Sequence, residues 1–133
     1  MSNLETTQKM YEAFGKADIP FILDQLADDV AWEAWDDNEA QTAGVPWLPR
    51  KGKEGAAEFF GMVGQFQIHD FQARGFMDGG NQVVVDVVID ATAPNGKRFR
   101  DEELHLWTFD DRGKVVRMRH YVDTAKHIAT ANG

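Results

Sequence analysis

The chain has 133 residues, of which 43% are hydrophobic and 27% charged, and 22 acidic against 14 basic side chains give a net charge of −8. This balance predicts one domain, residues 1–133, with a buried core, and excludes disorder as the main description. The negative charge argues against a nucleic-acid partner, and the absence of cysteine excludes disulfides and thiolate sites. No apolar run reaches the roughly 18 residues of a membrane helix, and the first ten residues lack a signal peptide's apolar core, so we expect a soluble cytoplasmic protein.

The first half of the chain shows mainly helical spacing. Ser2 and Glu5 fit a capping box, and apolar residues recur at helical intervals over residues 4–14. Asp18 is placed to cap a second short helix, and a third helical pattern follows Gly55. These features predict three helices, with a tail after residue 124 that begins as a helix and frays.

Extended segments dominate the second half. Alternating or β-branched residues predict strands over 30–35, from 66 to the turn at 78–81, 82–93, 98–109 and 114–123. A change of parity at residues 69–70 indicates a β-bulge. Residues 36–52 show no periodicity and are typical of a lid or binding loop. The order of elements predicts an α+β fold, with a curved antiparallel sheet covered by helices on one face.

Two turns predict the register of the last three strands. A two-residue turn at residues 95–96 places Asp86 opposite His105. A four-residue turn before the last strand places Glu103 opposite His120. Since paired residues point to the same face, one face is predicted to carry a polar quartet. The quartet consists of Asp86, Glu103, His105 and His120.

The quartet is a candidate catalytic site. A carboxylate bonded to one imidazole nitrogen orients the ring and leaves the other nitrogen free as an acid or base. We interpret His105 as a general base oriented by Asp86, and His120, paired with Glu103, as the acid or oxyanion donor. The alternative is two partly solvated ion pairs on an open sheet. Because each imidazole already has a partner and no tight metal motif is present, we expect no bound metal and no cofactor.

Apolar residues around the quartet suggest a pocket for a small, largely apolar molecule. Trp32 and Trp47 each have two interpretations: pocket lining or core packing for Trp32, and lid anchor or plain loop packing for Trp47. The predicted pocket walls are Phe14, Tyr11, Trp32, Trp47, Trp107 and Met118.

The other face of the predicted sheet is almost wholly apolar on its central strand. It is predicted to hold Val83, Val85, Val87, Ile89, Leu104 and Leu106, with Arg117, Arg119 and Tyr121. Because water is a poor cover for such a face, we expect a homodimer that buries it.

Three segments of the chain resemble a known family. The runs MYEAFGKADIPFILDQLADDVAWEAW, GKEGAAEFF and LHLWTFDDRGKVVRMRHYVD are similar to the SnoaL-like branch of the nuclear-transport-factor-2-like superfamily. The resemblance implies a cone-shaped fold with a deep pocket, commonly dimeric. It does not transfer a reaction. The base of the related ketosteroid isomerase matches Ala34, its tyrosine donor matches Met10 beside Tyr11, and its oxyanion-hole aspartate matches His105.

Together, the residues and the resemblance predict an enzyme that performs cofactor-independent acid–base chemistry, as an isomerase, cyclase or dehydratase. The alternative from another class is a non-catalytic ligand-binding or dimerisation module on the same fold.

Overall fold

A computed structural model describes residues 1–133, and it has the predicted α+β architecture with a curved, unclosed sheet of six strands. The elements, in chain order, are α1 (Asn3–Gly15), α2 (Ile19–Asp24), β1 (Leu26–Trp32), α3 (Glu39–Thr42), β2 (Arg50–Lys51), α4 (Gly52–Val63), β3 (Gln67–Asp78), β4 (Gln82–Thr92), β5 (Arg98–Phe109), β6 (Val115–Tyr121) and α5 (Thr124–Asn132). No helix of the structure is both long enough and apolar enough to span a membrane.

The helix starts follow their capping residues. The Ser2 hydroxyl accepts from the Glu5 amide at 3.0 Å, and the Glu5 carboxylate accepts from the Ser2 amide at 3.2 Å, which confirms the predicted capping box. Asp18 caps α2 as predicted. By contrast, α4 begins at Gly52, before the predicted start, because its N-cap residue Lys51 makes no side-chain cap that the sequence could reveal.

The sheet order is β2-β1-β6-β5-β4-β3. Strand β1 runs parallel to β6, with Trp32 opposite Met118, and the other neighbours are antiparallel. Strand β3 shifts register between Ile68 and Asp70, which confirms the predicted bulge. The parallel pairing brings the end of β1 next to the end of β6, and this junction contributes to the candidate site.

The predicted register between β4 and β5 is wrong by one residue. The hairpin closes between Ala93 and Lys97, with the Ala93 amide 2.7 Å from the Lys97 carbonyl oxygen, so the turn holds three residues. Gly96 occupies the left-handed region at φ 88° that such a turn requires. Asp86 therefore lies opposite Leu104, on the face away from His105.

The register between β5 and β6 differs from the prediction by two residues. A shift between Thr108 and Phe109 places His105 opposite His120. A two-residue shift preserves the face of every side chain. Glu103, His105 and His120 consequently share one face of the sheet as predicted, although their pairing differs.

The helices pack against the face that carries these polar residues. Val83, Val85 and Val87 are fully buried on this face, so their predicted position on the opposite face is wrong for the same one-residue reason. Their contacts extend to Met10 of α1 and Ile22 of α2 in a single core. The opposite face is therefore less apolar than predicted.

Two glycines of α4 provide a test of this packing. A Cβ atom at Gly55 would lie 2.8 Å from Cβ of Arg50, whereas one at Gly61 meets no atom within 4 Å. We expect Gly55→Ala to lower the free energy of unfolding by about 1–3 kcal/mol through overpacking. The matched variant Gly61→Ala should raise it by up to about 1 kcal/mol, because alanine favours the helix. Urea unfolding measures both, and equal effects would contradict the close α4–β2 contact.

Candidate acid–base site in an apolar cavity

A cavity of about 370 Å³ lies between the helices and the sheet, and 19 of its 29 lining residues are hydrophobic. Such a lining suits a small, mostly apolar ligand. The structure places all six predicted wall residues on this cavity: Tyr11, Phe14, Trp32, Trp47, Trp107 and Met118. Their contact with a ligand stays a prediction. The lining residues with carboxylate or imidazole side chains all come from β5, β6 and α5: Glu103, His105, His120 and His127.

His105 is held by the protein at both ring nitrogens. Its Nε2 lies 2.9 Å from Oε1 of Glu103, and its Nδ1 lies 2.5 Å from the Tyr11 hydroxyl. Nε1 of Trp107 donates to the same hydroxyl at 3.0 Å. Because a carboxylate accepts only, Nε2 of His105 carries the proton and Nδ1 accepts from Tyr11. Because both ring nitrogens are bonded within the protein, His105 lacks the free nitrogen that its predicted role as a general base requires.

The ionisation of Glu103 follows from its neighbours. Burial acts to raise the pKa of Glu103, but hydrogen bonds from His105 and His127 and the charge of His120 outweigh it and hold that pKa well below its usual range. Burial raises the pKa of the Tyr11 hydroxyl; the hydrogen bond from Trp107 acts in the opposite direction, and the charge of Glu103 acts with burial. Tyr11 therefore stays a neutral donor beside an ionised Glu103.

His120 is paired with Glu33, a residue that sequence analysis missed. Nδ1 of His120 contacts Oε2 of Glu33, and the other carboxylate oxygen accepts from the His120 backbone amide at 2.9 Å. The predicted pairing of His120 with Glu103 is thus wrong, because Glu103 bonds to His105 instead. No hydrogen bond of the protein involves Nε2, which lies on the side of the ring away from Nδ1, and His120 lines the cavity. Trp47 packs its ring against the imidazole at a centroid distance of 4.7 Å.

The position of Glu33 depends on an unusual backbone conformation. Trp32 faces the cavity, so regular alternation would send Glu33 to the opposite face. Glu33 instead adopts φ 54°, in the left-handed region, and its side chain is 0% exposed. Such strain in a residue other than glycine persists only where the surroundings stabilise it. The pair with His120 stabilises it here, together with backbone bonds from the Glu33 amide to the Met118 carbonyl oxygen and from the Gln41 side chain to the Glu33 carbonyl oxygen, both at 2.9 Å.

The charged state of His120 follows from this pair. Burial acts to lower the pKa of His120, but the charge of Glu33 and the hydrogen bond to it raise the pKa above its usual value. The imidazolium form, with a proton on Nε2, is therefore favoured over a wider pH range than for a free histidine. The pair therefore favours His120 as a proton donor toward the cavity.

A third histidine, His127 of α5, completes the buried polar cluster. Its Nε2 lies 2.8 Å from Oδ2 of Asp101 and 3.4 Å from Oε2 of Glu103. Burial acts to lower the pKa of His127, but the bonds to Asp101 and Glu103 raise it to about 9. Sequence analysis placed His127 in a fraying tail, although the Asp123 cap that starts α5 was readable as a helix signal.

The same three residues are the candidate metal ligands of the chain. One donor atom each from Asp101, Glu103 and His127 lies within 4.8 Å of the other two, and all three residues are buried. In the structure Nε2 of His127 instead pairs with both carboxylates. The predicted absence of metal from the quartet stays a prediction.

Asp86 is outside the cavity. Its carboxylate accepts from Arg74 of β3 at 3.1 Å on the opposite face of the sheet. The predicted role of Asp86 in orienting His105 is therefore wrong, and Glu103 with Tyr11 takes that place. The structure thus brings together three members of the predicted quartet and adds Glu33, Asp101 and His127.

Cone-shaped α+β domains with a ligand-sized cavity between helices and sheet form the class to which this structure belongs. The chain is a member of the family described as the SnoaL-like domain, which matches residues 7–118 and confirms the resemblance seen in the sequence. The match ends at Met118, so His120 and α5 lie beyond it. No curated protein matches the chain.

Solved structures share the fold over the whole chain. A nuclear-transport-factor-2-like protein of unknown function from Burkholderia pseudomallei is 29% identical, with a TM-score of 0.80 and 100% of each chain covered. TerC, co-crystallised with polyporic acid, is 26% identical, with a TM-score of 0.77 and 98% of each chain covered. A protein from Mesorhizobium loti, provisionally named a SnoaL-like polyketide cyclase, is 22% identical, with a TM-score of 0.71, and covers 91% of this chain and 99% of its own. At that identity it shows the fold alone.

The raised pKa of His127 predicts a pH dependence of stability. With a folded pKa of about 9 against an ordinary value of 6.5, the protonated histidine stabilises the fold fully below about pH 6.5. This contribution, on the order of 3 kcal/mol, is lost as the pH rises through about 9. Denaturant unfolding of the wild type and His127→Gln should therefore show a difference that shrinks between these values. The control His69→Gln removes an exposed histidine bonded to Thr92 and should show no such trend. A pH-independent difference for His127→Gln would contradict the assignment.

Proposed function

We propose that the protein is an enzyme that performs acid–base chemistry without a bound cofactor on a small, largely apolar molecule, with His120 as the proton-transfer residue. The observation that carries this proposal is the asymmetry of His120. Its Nδ1 contacts the buried carboxylate of Glu33, while its Nε2 has no hydrogen-bond partner in the protein and the residue lines an apolar cavity. A carboxylate that orients an imidazole toward a water-poor space is the arrangement general acid–base catalysis uses.

The pairing of His120 with the carboxylate of Glu33 indicates which proton transfer His120 performs. With its pKa raised, His120 donates the Nε2 proton to a carbonyl or hydroxyl oxygen of the bound molecule. Protonating a carbonyl oxygen promotes enolisation, and protonating a hydroxyl promotes loss of water. The neutral imidazole then takes the proton from the adjacent carbon, which completes the enol or the alkene and restores the imidazolium. This cycle serves an isomerase, a cyclase or a dehydratase.

His105 acts in this proposal as a positioning residue. Both of its nitrogens are bonded, to Glu103 and to Tyr11, so it holds the Tyr11 hydroxyl in place at the cavity wall. Glu33 is likewise a positioning residue, because it is fully buried and does not line the cavity. The sequence-based roles of His105 and His120 are revised accordingly.

The ligand is proposed from the cavity walls and from one related structure. Aromatic and aliphatic side chains form most of the lining, which suits a ring-containing molecule with few polar groups. TerC, at 26% identity, was co-crystallised with polyporic acid. That compound is the first ligand to test with this protein.

A non-catalytic ligand-binding module is the second candidate. The closed chain of hydrogen bonds through Trp107, Tyr11, His105 and Glu103 favours it, because these groups are satisfied without a substrate. Such a module would bind the same class of ligand and release it unchanged.

We also propose a homodimer through the sheet face opposite the cavity. Leu104 and Tyr121 lie opposite each other on this face and are each 44% exposed. Trp35 packs edge-on against Tyr121 at 4.9 Å, and Arg119 lies 4.7 Å from the Trp35 ring. Aromatic residues and arginine are enriched at interfaces between proteins.

Replacing the proton-transfer residue should remove turnover. We expect His120→Gln to lower kcat/KM by about 10²–10⁴-fold, while His105→Gln, which keeps a donor and an acceptor, has a smaller effect. The assay follows conversion of polyporic acid, or of a ligand identified by native mass spectrometry of the purified protein. Bound ligand with no turnover by the wild type would favour the binding module, and unchanged turnover by His120→Gln would contradict the proposed role.

The pH dependence of kcat/KM distinguishes a positioning role of Glu33 from a purely structural one. Glu33→Gln keeps the acceptor for the His120 amide but removes the negative charge, so the pKa of His120 should fall. The fall in kcat/KM that accompanies loss of the His120 proton should therefore occur at lower pH than in the wild type. The control Asp86→Asn removes a carboxylate on the opposite face and should leave the profile in place.

The dimer can be tested with two equally exposed leucines. Leu104→Glu should shift the protein to monomer in sedimentation at micromolar concentration, because a charge cannot be buried unpaired in an interface. Leu48 is also 44% exposed but lies in the loop after α3, so Leu48→Glu should leave the dimer intact. A monomeric wild type would overturn the proposal.

A further inference from the structure

The cavity runs along strand β5, and the sheet register gives the order of its lining residues. Even spacing along the strand puts the β5 lining residues on one face: Phe99, Glu103, His105 and Trp107. From residue 99 to residue 107 an extended strand covers up to about 26 Å, at roughly 3.3 Å per residue. A cavity of about 370 Å³ spread over this length is long and narrow rather than round.

The lining around Trp107 forms an apolar inner end. Trp107 lies opposite Met118, which in turn lies opposite Trp32 on the parallel strand β1. The indole rings of Trp32 and Trp107 meet at a centroid distance of 5.7 Å. Met10 and Ile22 from the helices belong to the same core cluster, and none of these five residues is more than 5% exposed. The inner end is therefore enclosed by the core of the domain.

The polar lining residues come next along the strand. His105 lies two positions from Trp107 and is directly opposite His120. Glu103 follows, and Nε2 of His127 lies 3.4 Å from its carboxylate. The candidate proton-transfer residue thus lies part of the way along the cavity, and not at its enclosed end.

Beyond Glu103 the lining becomes apolar again and forms an outer end. The ring of Phe66 lies 6.3 Å from the ring of Phe99, measured between centroids. Ile68 of β3 lies opposite Ala91, and Ala91 lies opposite Phe99. The apolar lining residues of the outer end are Phe66, Ile68, Ala93, Phe99 and Ala131. Ile68 is 37% exposed, so this end meets solvent.

We propose that the outer end is a second apolar subsite, and that the ligand has two apolar arms joined by a central oxygen-bearing group that meets His120. The inference rests on the proposed function in that the cavity binds the ligand and His120 contacts its oxygen; it does not require turnover. One arm fills the inner end, and the other covers the apolar side chains of the outer end. The substrate class is therefore a ketone or alcohol with an apolar substituent on each side.

The argument for a central oxygen is geometric. A ligand with its oxygen at one end either places that oxygen at His120 and fills one subsite, or fills both subsites and leaves His120 without an acceptor. Only a ligand with the oxygen between two arms gains both subsites and the hydrogen bond. Because apolar burial and hydrogen bonding both contribute to affinity, this arrangement binds most tightly.

Two isomeric ketones test the position of the oxygen. 1,5-Diphenylpentan-3-one has its carbonyl group between two phenethyl arms, whereas 5-(biphenyl-4-yl)pentan-2-one has both rings on one side of the carbonyl. We expect the protein to bind the symmetric ketone about tenfold more tightly, which corresponds to about 1.4 kcal/mol. Burial of only about 60 Å² of additional apolar surface accounts for such a difference. Isothermal titration calorimetry measures both affinities.

Two variants of β3 assign the preference to the outer subsite. Ile68→Gln places an amide among its apolar side chains and should weaken binding of the symmetric ketone by about three- to tenfold. It should leave the affinity for 4-phenylbutan-2-one unchanged, because the single arm of that ketone fills the inner end. The control Met77→Gln alters a residue of the same strand that is 51% exposed and does not line the cavity, so both affinities should stay as in the wild type. Thermal unfolding checks that both variants are folded.

The results distinguish this inference from the proposed function. Equal affinity for the two isomers, or tighter binding of the biphenyl isomer, overturns the two-armed ligand and leaves the proposed chemistry of His120 standing. Undiminished binding of the symmetric ketone by Ile68→Gln overturns the outer subsite. Failure of all three ketones to bind contradicts the ligand cavity on which both proposals rest.

Discussion

The structure depends on pairing buried carboxylates with histidines. Glu33, Asp101 and Glu103 are all nearly inaccessible to water, and each bonds to an imidazole. An ionised carboxylate buried alone costs several kcal/mol, so none of these groups is compatible with an apolar interior by itself. The pairs also join distant elements. Glu33 ties the end of β1 to β6, and His127 ties α5 to β5, so the same contacts that neutralise the charges also close the cavity.

The sheet shows which parts of a site can be predicted from strand patterns. The β5–β6 register was wrong by two residues, yet Glu103, His105 and His120 kept their common face, because side chains alternate with period two. The β4–β5 register was wrong by one residue, and this moved Asp86 to the opposite face. The difference came from one local choice, a three-residue turn in place of a two-residue turn. Strand composition does not specify that choice.

The residues that sequence analysis missed were hidden for different reasons. Glu33 reaches His120 through its left-handed backbone, a conformation that glutamate does not intrinsically prefer and that strand alternation would not predict. His127 is buried because its Nε2–H group pairs with the carboxylates of Asp101 and Glu103, which are distant in the chain. Helices with clear caps, strand composition and the apolar wall residues were predictable because their signals are local. The pairing of buried charges is a long-range property.

The polar side chains of the cavity are concentrated on one side of its wall, which favours one orientation of a bound ligand. The walls contributed by α1 and α4 are mainly apolar, with Tyr11 as their main polar group, whereas the carboxylate and imidazole side chains lie on β5, β6 and α5. An apolar ligand gains affinity from every wall, and on the β6 side its oxygen atoms find the Nε2 proton of His120. Apolar contact is non-directional, so it fills the cavity without fixing a pose. A hydrogen bond from Nε2 of His120 would fix the orientation, because Glu33 holds the other nitrogen of the ring and raises the pKa of the imidazole.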